Sequence, residues 1–241
     1  MLRYFLSAIS FLTIIPVPKR YRQEMKHLLP FFPIVGFFIG IIFVLINYCC
    51  SFVFYKIVVD FLVVVSLIII TGGLHLDGLA DFLDGFYAGD SKDEIIKIMD
   101  DSHIGAMGVI GIVVVILAKF ILFNNLDNNM VNASLVLFPV LGRWSMVVSM
   151  GISQPAKEDG LGNFFLKNTT KNDFIISVII TFLLVFFVFK LKGIVIFLFI
   201  SFFSFIFTKY IIKKIKGITG DTLGAVCEMS EVFTLLILNL K

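Results

Sequence analysis

Between Leu74 and Gly85 the chain sets Asp77, Asp81 and Asp84 among apolar neighbours. At positions i, i+4 and i+7 they fall on one face of a helix. Like charges stacked in this way repel by roughly 1–4 kcal/mol per close pair, depending on the local dielectric. Water, a basic partner or a divalent cation must offset that cost. Lys56 is the one Lys or Arg between Lys26 and Lys92. A hard cation, Mg²⁺ or Mn²⁺, which takes carboxylate oxygens, is therefore the simplest remedy.

A second polar group follows at Asp100-Asp101-Ser102-His103, at the mouth of the next apolar stretch. Between the two, Gly85 to Gly89 reads as a helix end with a glycine left-handed cap. Ser91 and Glu94 have capping-box spacing at the start of a short helix, whose Asp90, Asp93 and Glu94 read as a solvated face. Further on, Arg143 stands mid-way along an apolar stretch and needs an acidic or phosphate partner. Glu228 and Glu231, at i and i+3 in the last such stretch, with Asp221 below them, call for a cation or a basic partner. They are expected to share one polar chamber with Asp77, Asp81 and Asp84. Asp60 and Lys119 lie nearer to helix ends and are expected to reach the membrane interface.

The elements that must carry these groups are membrane helices. The chain is 59% hydrophobic with 29 Phe, and its mean hydropathy is +1.03. Apolar runs long enough to cross a bilayer as helices recur near 30–50, 57–73, 104–123, 131–151, 174–190, 193–212 and 222–240. The expectation is an all-α, polytopic bundle in one domain, 1–241, of about seven spans with an acidic helical loop. A shorter apolar piece, Tyr4 to Val17, ends in Pro16-Val17-Pro18 and lacks the small-residue pattern of a cleaved signal. Gly36 and Gly40 have the small-residue spacing of close helix contacts. The three Cys make no disulfide framework and read as small apolar packing residues.

The connections 18–29, 74–103, 152–173 and 213–221 hold 12 of the 20 Lys and Arg, whereas the alternate ones hold only Lys56, Lys190 and Lys192. The positive-inside rule makes the first set cytoplasmic. Eight of the 17 acids lie between Asp77 and Asp101, so the chemistry gathers on the same face. No basic stripe with interleaved aromatics is present, which argues against a nucleic-acid partner.

Taken together, these motifs resemble the cobalamin (5′-phosphate) synthases, the adenosylcobinamide-GDP ribazoletransferases. The resemblance rests on Thr71-Gly72-Gly73-Leu74-His75-Leu76-Asp77-Gly78-Leu79-Ala80-Asp81, on Asp84-Gly85, and on Ile98-Met99-Asp100-Asp101-Ser102-His103-Ile104-Gly105. It extends to Phe11-Leu12-Thr13 with Pro16-Val17-Pro18, to Gly142-Arg143-Trp144, and to Gly220-Asp221-Thr222-Leu223-Gly224-Ala225 with Glu228 and Glu231. Many members carry Arg where this chain has His103, which weakens a phosphate contact there.

The resemblance implies a cell-membrane enzyme that needs Mg²⁺ and works on the cytoplasmic face. Its substrates would be adenosylcobinamide-GDP and α-ribazole or α-ribazole 5′-phosphate. It would release GMP and form adenosylcobalamin or its 5′-phosphate. On that reading Asp77, Asp81 and Asp84 hold metal, and Asp84, Asp100 or Asp101 does catalytic work. His75, Ser102, His103 and Arg143 contact substrate or phosphate, and Asp221, Glu228 and Glu231 complete the site. Membrane lipid is a further partner, and a homo-oligomer is compatible with the reading.

Two other readings were open. Asp81 to Ala88 echoes the CDP-alcohol phosphotransferase signature, but Gly89 stands where that signature has Arg. A cation-coupled transporter could use intramembrane charges, but the chain shows no repeat.

Overall fold

The computed structural model describes residues 1–21, 26–158 and 169–240. Of the expected cytoplasmic connections, Arg22 and Lys167 lie outside the described residues. Among the described residues nine α-helices follow in chain order: α1 (Leu2–Leu12), α2 (Phe31–Ser51), α3 (Lys56–Thr71), α4 (Leu74–Ala88), α5 (Lys92–Met99), α6 (Ala106–Asn124), α7 (Val131–Ile152), α8 (Lys171–Ile215) and α9 (Gly220–Leu238). Among the described residues the extended pairing is a single bridge, Pro155 to Ile218.

By length and composition α2, α6, α7 and α8 can each cross a membrane, and α3 with α4 would make a fifth as a bent pair. The expected seven segments map onto α2, α3, α6, α7, the two limbs of α8, and α9. The expected spans 174–190 and 193–212 form one element broken at Lys190 (φ 52°, ψ −135°). The limbs fold back on each other: the rings of Phe182 and Phe197 are 6.4 Å apart, against about 22 Å along a straight helix. α1 has 11 residues, about 17 Å of helix and too short to span. Its Ala8, Ile9 and Leu12 are buried in the core.

Loops alternate between two ends of the bundle. At one end, His27 meets Asp173 at 3.0 Å, Lys157 pairs with Asp100, and Ala156 bonds Ile218 at 3.0 Å. At the other, Lys56 Nζ donates to the carbonyls of Phe123 and Asn124 at 2.8 and 3.0 Å, and Asn239 Nδ2 donates to the Leu122 carbonyl at 3.1 Å. This is the two-set partition that the charge pattern anticipates. Asp60 lies one turn inside this end and is covered. It is 3% exposed and accepts from Lys56 at 2.8 Å and from Asn124 at 3.1 Å.

Glycine sets the bend that matters for the site. Gly72 and Gly73 take φ of 62° and 71°, the left-handed region that only glycine enters freely. Gly73 N–H bonds the Ile68 carbonyl and Gly72 N–H that of Ile69, each at 3.0 Å, a Schellman end to α3. The chain leaves at 85° as α4, which lies across the end of the bundle instead of spanning it. The left-handed cap expected between Gly85 and Gly89 is not formed. α4 runs through Gly85, and Gly89 is extended at φ −91°. Ser91 does cap α5, accepting from Glu94 N–H at 3.3 Å.

α7 is the central pillar, with 89% of its apolar window buried. α2 packs on it through the anticipated glycine pair. A Cβ at Gly36 would sit 2.4 Å from the Pro139 carbonyl oxygen, and one at Gly40 would sit 2.6 Å from Val136 Cα and 3.0 Å from the Leu135 oxygen. Pro139 has no N–H to give Leu135 four residues back, so the α2 backbone rests where α7 is least regular. Cys227 is buried as expected, whereas Cys49 is exposed on α2.

Because backbone atoms line that contact, Gly40→Val should lower the thermal unfolding midpoint in detergent, through an overpacking cost of about 1–3 kcal/mol. Ile41→Val, on the exposed side of the same helix, should leave the midpoint unchanged. An unshifted midpoint for Gly40→Val would show that the helices do not touch there.

Candidate active site

α4 and α9 meet backbone to backbone. A Cβ at Gly78 would lie 2.9 Å from Asp221 Cα, and one at Gly224 would lie 3.0 Å from the His75 carbonyl oxygen. This contact puts Asp221, in the first turn of α9, beside the acidic face of α4. Asp77 is exposed, and Asp81 and Asp221 are half-buried. The Asp81 carboxyl is pushed up to about 6, first by burial and then by Asp77, Asp221, Asp84 and Asp100. Carboxylates from α4, from the C-terminal end of α5 and from α9 thus share one field. The facing cation is Lys157, which pairs with Asp100 and is within electrostatic reach of Asp221.

Asp84 is placed differently from its two neighbours. Its carboxylate accepts from Gly105 N–H at 2.7 Å and from Gly108 N–H at 2.9 Å. These are orphan donors at the start of α6, and Asp84 caps them from another helix. The expected three-carboxylate cage is accordingly not preformed. Among the described residues no group of three or more His, Cys, Asp or Glu is set to hold a metal ion. Mg²⁺, however, is commonly bound by one or two carboxylates, waters and substrate phosphates. One or two of Asp77, Asp81 and Asp221 suffice for that kind of open site.

The segment after α5 is exposed and organised locally. Asp101 Oδ1 accepts from His103 N–H at 3.0 Å and faces His103 Nδ1 at 2.7 Å. The His103 backbone and side-chain hydrogen bonds hold the Asp101 carboxyl below the usual carboxylate range, which makes it a poor proton acceptor. Ser102 and His103 both face solvent. An open cavity of about 660 Å³ adjoins them, lined in part by Lys92, Lys97, Asp100, Asp101 and Lys157. A polar substrate meets both signs of charge there.

Beneath α4, in the interior, four charges close on one another. Lys119 of α6 donates to Glu228 Oε2 at 2.7 Å and also to Glu231 Oε2, while Arg143 of α7 donates through Nη1 to Glu231 Oε1. Lys119 is 2% exposed, Glu228 4%, and Arg143 and Glu231 0%. Gly142 makes the room, since a Cβ there would lie 2.6 Å from Glu231 Cγ. Two cations and two anions balance, as charges away from water require.

This arrangement corrects two expectations. Lys119 does not reach the interface: it is the centre of the network. Its signal was the charge balance of the spans, in which two glutamates on one helical face need two cations from elsewhere. Arg143 is not open to a cytosolic phosphate, because Glu231 takes its Nη1 and the side chain is enclosed.

Glu228 and Glu231 do face the interior, but with these cations and not among the acids of α4. His75 links the two levels. It is buried on α4, within electrostatic reach of Arg143 and Lys119. Among the described residues, Arg143 Nε and Nη2 and His75 Nε2 find no hydrogen-bond partner.

Comparison with known proteins matches this architecture to one family. The family model described as cobalamin-5-phosphate synthase matches residues 4–239. A protein of Thermoanaerobacter pseudethanolicus is 35% identical, covering 95% of this chain and 94% of its own length. One from Caldanaerobacter subterraneus subsp. tengcongensis is 34% identical over 99% and 98%, and one from Acetivibrio thermocellus is 34% identical over 99% and 98%. All three are named adenosylcobinamide-GDP ribazoletransferase. No solved structure matches the chain significantly. With nearly its whole length matched by the family model and by relatives above 30% identity, the chain belongs to the cobalamin-5-phosphate synthase family.

Proposed function

We propose that this chain joins adenosylcobinamide-GDP to α-ribazole or α-ribazole 5′-phosphate and releases GMP. The observation that carries the reading is the full-length match to ribazoletransferases, supported by an acidic cluster at one end of a membrane bundle. In the reaction a ribose hydroxyl oxygen bonds the phosphorus attached to cobinamide. The bond from that phosphorus to the oxygen bridging to GMP breaks, and GMP leaves with the electron pair. The hydroxyl proton passes to a carboxylate, for which Asp100, exposed beside the open cavity, is the better placed candidate. Asp101 is engaged twice by His103, through its backbone N–H and its ring, and Asp100 through Oδ1 by Lys157.

One or two of Asp77, Asp81 and Asp221 would hold Mg²⁺, with Mn²⁺ as an alternative, and Asp84 would fix the α4–α6 junction beside them. When bound, such an ion offsets negative charge growing on the phosphoryl and leaving oxygens. Lys92, Lys97 and Lys157 around the cavity offer cationic contacts to the diphosphate. His75, Ser102 and His103 contribute at its margin, His75 from below. The end of the bundle that carries α4 and α5 faces the cytoplasm, in keeping with its share of Lys and Arg.

Purified protein given Mg²⁺, adenosylcobinamide-GDP and α-ribazole should release GMP, and should stop when EDTA removes the metal and resume with Mn²⁺. No GMP from well-folded protein would refute the assignment. Asp81→Asn should reduce turnover at least about 100-fold with little change in thermal midpoint, since it removes a charge that a hard cation needs. Asp84→Ala should also lower the midpoint, because losing a helix cap costs about 0.5–2 kcal/mol. Equal midpoints for Asp84→Ala and the parent would remove its capping role.

Orientation has its own check. With Cys49 and Cys50 replaced, a cysteine at position 90 should react with an impermeant thiol reagent only from the cytoplasmic side, and one at position 128 only from outside. Reaction of both from one side would overturn the topology.

A further inference from the structure

We infer that Lys119 is a positioning residue for the transfer reaction, acting through α9 on Asp221. The inference rests on the reading of Asp77, Asp81 and Asp221 as the metal-binding end. Asp221, Gly224, Glu228 and Glu231 are spaced i, i+3, i+7 and i+10, so they share one face of α9. That face touches three things in sequence. Its first turn meets α4 at Gly78, its second meets the His75 backbone, and its third and fourth bond Lys119 and Arg143.

From Asp221 to Glu228 is about 10.5 Å of helix, short enough for a rigid element to carry a displacement from one to the other. Lys119 bonds both glutamates at once, from a third helix, and so sets both the rotation and the height of α9. At the Gly78 contact, 2.9 Å from a would-be Cβ to Asp221 Cα, the helices are already at their closest approach. α9 cannot slide there without moving Asp221 against Asp81. Lys119 touches no substrate; its effect on the reaction is the placement of Asp221.

Lys119→Met alone would leave a carboxylate uncompensated in the interior and endanger folding. The informative variant is therefore Lys119→Met with Glu228→Gln, which keeps the Arg143–Glu231 pair and a balanced interior while removing the tether. Its membrane yield and thermal midpoint should match the parent. Per folded molecule, its kcat should fall and its Mn²⁺ dissociation constant, measured by EPR without substrate, should rise. Each change should be about tenfold, the low end of what a lost supporting contact costs a metal site. KM for adenosylcobinamide-GDP should stay within about threefold, because uniform binding is untouched.

Lys119→Arg, which preserves the charge and can span both glutamates, should restore kcat and Mn²⁺ affinity. A double variant with parental kcat and Mn²⁺ affinity would overturn the inference, as would one whose losses track only its folded fraction. If instead the parent releases no GMP or binds no Mn²⁺, the functional reading fails first, and the inference with it.

Discussion

The rest of this structure depends on the compensation of charge inside the bundle. Lys119, Arg143, Glu228 and Glu231 come from α6, α7 and α9 and are nearly or wholly closed to solvent. Breaking a buried pair by removing one partner typically costs about 3–5 kcal/mol, because an unpaired charge is left behind. That penalty rivals the loss of a large core side chain, so it constrains which faces of the three helices may meet. The ion pairs and the backbone contacts at Gly78 and Gly224 all fall on one face of α9 and together fix its rotation.

Once α9 is fixed, α4 has a fixed floor. The double-glycine turn sends α4 across the end of the bundle, and Gly78 and Gly224 let its backbone rest on α9 with no side chain between. Asp84 then reaches the unsatisfied N–H groups at the start of α6 and closes the third side. Thus the acidic helix is held by its own backbone, by one of its three carboxylates and by a buried histidine. The other two carboxylates, Asp77 and Asp81, remain turned outward beside Asp221.

Much of this was legible in the chain. Hydropathy located the apolar helices, including both limbs of α8, because the Lys190–Lys192 interruption is a local change in composition. Charge asymmetry divided the loops into two sets, and the spacing of Gly36 and Gly40 marked the α2–α7 contact. What was hidden depends on pairing between distant segments. Helical periodicity puts Asp77, Asp81 and Asp84 on one face but cannot tell that α6 begins opposite the third. Distance from a helix end suggested that Lys119 would snorkel. Only the meeting of α6 with α9 shows that two glutamates hold it inside. Of the two partners open to Arg143, acid or phosphate, the structure takes the acid, Glu231, 88 residues away in sequence.

A single helix therefore carries acids in two different electrostatic situations. Glu228 and Glu231 are matched by cations that the protein itself supplies, so they hold structure and have little attraction left for an external ion. Asp221, two turns nearer the bundle end, joins Asp77, Asp81 and Asp100 in a group whose nearby cation is Lys157, already paired with Asp100. The deficit of positive charge is thus confined to the accessible end. A divalent cation carried in with a diphosphate would be drawn there and not into the interior. Had the tetrad been left one cation short, the deficit would have been shared along α9, and an ion would have had two places to go. On the proposed reading, neutrality inside the bundle directs such an ion to the acidic end.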